Sequence, residues 1–178
     1  MAVKIANKRI EQRGREIRRF VKFLNATYDV PDIVNLHILN FPCTYDDNLE
    51  PVFGLFYFDE QDEIRIEIAN DFSWYEKLHK EKFGKKFCTY MSLSCIAHEF
   101  CHYVRYRDGK KYLLENWIDH QANKILKEYI NQCSTILTEN YIDQFSSSKD
   151  SVNEDLEAMN PVSFIRKKAA LKEKILWS

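Results

Sequence analysis

Phe87–Arg107 is an apolar run with no helix breaker in it, so it reads as one helix round which the remaining chain must be built. On it lies His98-Glu99-Phe100-Cys101-His102. Successive helical residues turn by about 100°, so His98 and His102 point the same way one turn apart and can share one ion. Glu99 follows about a quarter turn round. A carboxylate there is poorly placed as a ligand but able to reach a water beside the ion, the division of labour found in zinc hydrolases. Leu93, Ala97, Phe100 and Val104 gather on the far side as a core stripe, leaving Cys95, Glu99, Tyr106 and the two histidines on the near side. The five-residue pattern recurs by chance, and an amphipathic helix can carry two surface histidines. Polar clustering on one face favours the metal.

A hydrolytic zinc needs a third protein ligand and a position left to water. Arg107-Asp108-Gly109-Lys110-Lys111 is a polar turn with a glycine suited to ending the helix. A second amphipathic helix is expected from about Tyr112 to Ile130, burying Leu114, Ile118, Ala122, Ile125 and Tyr129. Glu115 and Asp119 flank that stripe one turn apart, and either carboxylate could face the histidines across the turn.

His98-Glu99-x-x-His102 followed by Asp119-His120-Gln121-Ala122-Asn123 resembles the motif pair of the ImmA/IrrE-like zinc peptidases. The likeness covers roughly residues 53–126. It implies a zincin fold, an α+β domain with a small, mostly antiparallel sheet packed on the active-site helix and a ligand-bearing helix after it. It implies Zn2+ on His98, His102 and Asp119, with Glu99 as catalytic base, although the family's usual residue at the Asp119 position is glutamate. The alternative is a thermolysin-like Glu-x-x-x-Asp pattern, with Glu115 as ligand and Asp119 orienting a histidine. Asp119 is preferred because the thirteen residues from His102 to Glu115 leave little chain for helix end, turn and approach. The resemblance also implies a cytoplasmic regulatory protease that cuts a protein such as a repressor, often encoded on a mobile element.

A chain of 178 residues with 45% hydrophobic content can form one globular domain, here expected over residues 1–145, with a linker and a basic helix over 146–178. Ser146–Asp150 is the linker, and Pro161 could open the last helix, whose Phe164, Leu171, Ile175 and Trp177 suffice to dock it. A net charge of −1 gives no global attraction to nucleic acid or to an anionic membrane. No run is long and apolar enough for a membrane span, and no secretory signal is recognised at the amino terminus. Five cysteines without a Cys-x-x-Cys pair cannot all be paired within the chain, which suits a reducing, cytoplasmic setting. Oligomeric state is not legible.

Residues from about Ile5 to Tyr28 read as a basic helix docked through Ile10, Ile17, Phe20, Val21 and Leu24. Glu11 and Glu16 interrupt its charge, so it is read as a solvated face with no nucleic-acid partner expected. A zincin scaffold that binds a protein or nucleic acid through its basic helices is the competing class. Asp32–Phe41 suggests a strand, and residues 52–58 and 63–68 a hairpin turning at Asp59–Asp62. Glu63–Asn70 is the candidate edge strand for extended substrate. Short helices are expected near Tyr75–Glu81 and Ile136–Phe145. Cys95 is more simply a buried thiol than a ligand. His37 and His79 lack ligand spacing, and Tyr103, Tyr106, Tyr112 and His120 are candidate oxyanion donors. A Cys/His thiol-protease arrangement would leave Glu99 without a role, and no glycine-rich phosphate loop is present.

Overall fold

The computed structural model describes residues 1–7, 10, 13–48, 51–58, 63–72, 84–110, 115–134 and 137. The chain divides into two units, Met1–Ile142 and Asp143–Ser178. The second lies outside the described residues, as do the expected linker, the helix from Pro161, the turn at 59–62, the helix near 75–81 and, Leu137 apart, the helix near 136–145.

The first unit is α+β. Its described elements are β1 (Ala2–Ile5), α1 (Gly14–Thr27), β2 (Ile33–Leu39), β3 (Thr44–Tyr45), β4 (Pro51–Val52), β5 (Gly54–Phe58), β6 (Ile64–Ala69), α2 (Gly84–Arg107) and α3 (Glu115–Gln132). The main sheet has the order β1-β2-β6-β5, and β3 pairs with β4 separately. Two of its three ladders, β1 with β2 and β2 with β6, are parallel; only β5 runs antiparallel to β6. The sheet is therefore mixed, not mostly antiparallel as expected. One of the two parallel ladders arises at the amino terminus, the other from β2 lying directly beside β6. Instead of a helix from Ile5, the chain opens with a strand that buries Val3 between solvent-facing neighbours, and α1 carries it back to a parallel β2.

Register sorts the sheet into two faces, because residues directly opposite share a side. Gly54, Phe56 and Phe58 lie opposite Ile68, Ile66 and Ile64, which lie opposite Ile38, Leu36 and Val34. This is the helix-facing side. All six aliphatic residues are buried, each contributing roughly 1.5–3 kcal/mol of apolar burial. The other face carries Tyr57, Arg65 and Glu67, with Thr44 of β3 donating to Glu67 at 3.4 Å.

Helix α2 packs on β5 and β6 and against α1 and α3, so it is enclosed on nearly all sides. Leu93, Ile96, Ala97, Phe100 and Tyr103 are fully buried. Val104 of the expected stripe is only half-buried. On α3, Ile118, Ala122, Ile125, Leu126, Tyr129 and Ile130 are buried. Helix α1 buries Ile17, Phe20, Val21, Phe23 and Leu24 and leaves Arg15, Arg18, Arg19 and Lys22 exposed. Glu16, which reads as a break in the basic face, is in fact buried and accepts hydrogen bonds from Tyr129 Oη at 2.7 Å and Ser134 Oγ at 3.0 Å. Those bonds fasten α1 to the end of α3.

The start of α1 is held by Arg13, whose φ of 55° lies in the left-handed region that non-glycine residues occupy at a cost of about 1–2 kcal/mol. Its Nη2 donates to the Asn70 carbonyl and its Nε to Ser92 Oγ at 3.1 Å, while Ser92 Oγ donates to Asn70 Oδ1 at 2.8 Å. One guanidinium thus joins the entry to α1, the exit of β6 and the first half of α2. Among the described residues no helix is long and apolar enough to cross a membrane.

Candidate metal centre

Burial of Leu93, Ala97 and Phe100 against the core fixes the roll of α2 and turns His98 and His102 outward together. Their Nε2 atoms are 3.1 Å apart. Two imidazole nitrogens that close either share a proton or aim their lone pairs at one cation. After the turn at Asp108–Gly109, where Gly109 adopts a φ of 68°, α3 returns with Glu115 in its first turn. Glu115 Oε2 lies 3.3 Å from His98 Nε2 and Oε1 lies 3.8 Å from His102 Nε2. Donors around a tetrahedral zinc with bonds of about 2.1 Å are separated by about 3.4 Å, so His98, His102 and Glu115 fit such an ion. One donor atom from each can be chosen so that all lie within 4.8 Å of one another.

Asp119 is not in that group. Its Oδ1 lies 3.2 Å from His98 Nδ1, on the far side of the ring from Nε2. Of the two carboxylates weighed as third ligand, Glu115 is the one grouped with the histidines in a cluster that could hold an ion, and Asp119, the preferred candidate, instead faces His98 Nδ1. The reason is one turn of helix. Asp119 lies about 6 Å further along α3 than Glu115, so it comes level with the back of the His98 ring. A carboxylate there accepts the Nδ1 proton and leaves the Nε2 lone pair for a metal.

Glu99 is buried beneath β5, 7% exposed. Burial, reinforced by the neighbouring Glu115 carboxylate, pushes its carboxyl up to about 8. Burial and the adjacent His98 lower the pKa of His102, favouring the neutral imidazole that a metal requires. Arg105, one turn after His102, lies over the Trp117 ring at 4.9 Å and so ties the end of α2 to α3 beside the site.

These groups line a cleft of about 770 Å3 whose wall is β5: Gly54, Leu55, Phe56 and Phe58 face His98, Glu99, His102, Tyr106 and Glu115 across it. The expected edge strand, Glu63–Asn70, is instead interior, with β2 on one side and β5 on the other. The edge beside α2 is β5, which among the described residues pairs only with β6. Ala69 N–H donates to the Phe53 carbonyl at 2.7 Å, and the antiparallel alternation from that pair turns the N–H and C=O groups of Gly54, Phe56 and Phe58 toward the open edge.

Gly54 is the site residue that sequence reasoning missed. A Cβ there would lie 2.6 Å from Glu99 Oε1 and 2.8 Å from its Cγ. The signal was present: a glycine inside an apolar strand marks a close backbone approach. Of the other candidates, Cys95 is half-buried and outside the donor group, and His37 lies on β2 away from it. Tyr103 is consumed by a hydrogen bond to Asp32 Oδ2 at 2.9 Å, whereas Tyr106 lines the cleft. His120 is exposed and does not line it. Tyr112 and His79 are outside the described residues.

No protein-family model, curated protein or solved structure matches this chain.

Proposed function

We propose that this domain is a zinc-dependent peptidase of zincin type that hydrolyses a peptide bond in a protein or peptide substrate. The supporting observation is the convergence of His98, His102 and Glu115 beside a buried Glu99, on the floor of a cleft walled by an open strand edge. His98, His102 and Glu115 would hold the ion, and Asp119 fixes the tautomer of His98. A zinc ion held there supplies Lewis acidity that polarises a carbonyl and acidifies water. Glu99 takes a proton from the attacking water and returns it to the leaving amine, a role for which its place in the cleft beside the two histidines suits it. The outward backbone groups of Gly54, Phe56 and Phe58 hold the substrate extended by strand pairing. The motif pair resembling ImmA/IrrE-like enzymes makes a regulatory protein, such as a repressor, the favoured substrate class, and the five thiols suit action in a reducing cytoplasm.

Purified protein should hold about one zinc per chain, and His98→Ala or His102→Ala should abolish it. Glu99→Gln should keep the metal yet lose cleavage by roughly 10²–10⁴-fold, read as new protein N-termini in a reduced cell lysate. Zinc undiminished in both histidine variants would end the metal reading. Equal cleavage by wild type and Glu99→Gln would end the catalytic one.

A further inference from the structure

Phe58 and Tyr106 are large aromatic residues left 56% and 40% exposed, yet they are stacked on each other with ring centroids 4.3 Å apart. Phe56 backs them, 5.8 Å from Tyr106 and 6.2 Å from Phe58. All three line the cleft that holds His98, Glu99, His102 and Glu115. Scattered exposed aromatics need no explanation, but a continuous exposed aromatic shelf along a cleft does, because such a patch costs solvation until something covers it.

Its position along the cleft follows from two rulers. Strand residues advance about 3.3 Å each, so Phe56 and Phe58 lie about 7 and 13 Å from Gly54, the residue seated on Glu99. Helix residues rise about 1.5 Å each, which puts Tyr106 about 10 Å from Glu99 in the same direction. An extended peptide paired to the edge of β5 advances at the strand's own rate. Its residue three or four places from the scissile bond therefore arrives over Tyr106 and Phe58.

Resting on the metallopeptidase reading above, we infer that Phe56, Phe58 and Tyr106 form a specificity subsite for an aromatic or large aliphatic side chain three to four residues from the scissile bond. The shelf selects by covering apolar surface and by ring stacking, which discriminates against small and charged residues at that place. Phe58 and Tyr106 are the specificity-determining pair, and Phe56 supports them from below.

Three hydroxamates test this on the zinc-loaded full chain by calorimetric titration: acetohydroxamate, which reaches only the metal, and two hexanohydroxamates of equal chain length ending in a phenyl or a hydroxyl group. The phenyl compound should bind wild type about tenfold more tightly than the hydroxyl compound, an advantage of the size that ring stacking supplies. In the Phe58→Ser/Tyr106→Ser double variant the ratio should fall below about threefold. Both positions are exposed, so the variant is expected to fold, which circular dichroism checks. Equal affinities in wild type, or a phenyl preference that survives in the double variant, would overturn the subsite while leaving the metal reading intact. Failure of all three compounds to bind zinc-loaded protein would remove the metal reading and this inference with it.

Discussion

Gly54→Ala tests the packing of the site without any knowledge of the substrate. The added methyl would lie 2.6 Å from Glu99 Oε1, 2.8 Å from Cγ and 3.0 Å from Cδ. Carbon atoms rest at about 3.5–4.0 Å, so the Glu99 side chain must withdraw by roughly 1 Å or β5 must lift off α2. Glu99 is enclosed, so the overpacking should cost about 1–3 kcal/mol, or roughly 2–12 °C in Tm for a chain of this size. A base displaced by about 1 Å should lower cleavage by about 10²-fold. Zinc content should hold, since the three atoms nearest the methyl all belong to Glu99. The decisive assay is a double-mutant cycle by urea denaturation. In a Glu99→Ala background the three crowded atoms are gone, so Gly54→Ala should cost about 1–2 kcal/mol less there than in wild type. Equal costs in the two backgrounds would show that Gly54 does not bear on Glu99 and would refute the close approach.

Glu115→Ala should weaken zinc binding by far more than Asp119→Ala, whose loss should stay within the roughly 10–100-fold of a group that only orients a ligand; the reverse order, measured with a competing chelator, would restore Asp119 as the ligand. Stability should fall as pH rises above about 10. Burial and hydrogen bonds to Asp32 and Glu16 raise the phenols of Tyr103, to about 12, and of Tyr129, so their contribution is whole below the unfolded value of about 10 and is lost on approach to the folded values. Tyr103→Phe should flatten that alkaline decline, and an unchanged slope would count against it. Tyr129→Phe should cost about 1–3 kcal/mol at neutral pH by removing the donor to buried Glu16, and a neutral effect in thermal melts would show that the bond contributes nothing.

Local periodicity carried most of the readable information. His98 and His102 meet because a helix repeats every 3.6 residues, and that arithmetic needs no tertiary structure. The hairpin of β5 and β6 and the stripes of α2 and α3 were legible for the same reason. What was not legible depended on distance in space. Glu115 and Asp119 are equivalent by spacing, and only the height at which α3 returns after Gly109 separates a group on Nε2 from one on Nδ1. The β1–β2 ladder depended on four residues, Ala2–Ile5, whose alternation is too short to stand out from the helix pattern beyond it, and the parallel pairing of β2 with β6 on which strands the chain brings together across β5. Which strand forms the edge was likewise hidden, since Glu63–Asn70 and Gly54–Phe58 differ in neighbours more than in composition. Glu16 reads as a surface charge until Tyr129, 113 residues away, is brought to it.

The guanidinium of Arg13 also bears on how long the native state lasts. Its bonds to Asn70 and Ser92 span 57 and 79 residues, and loop closure of that length must precede any return from them. The left-handed turn at Arg13 is compensated by bonds that exist only where β6 and α2 meet. Interactions that form after the folding barrier slow escape from the native state without hastening arrival. If these bonds form after the barrier, Arg13→Ala should speed unfolding and leave the refolding rate nearly unchanged in a chevron, and the helix bearing His98 and His102 is latched from a residue 85 places before the first of them.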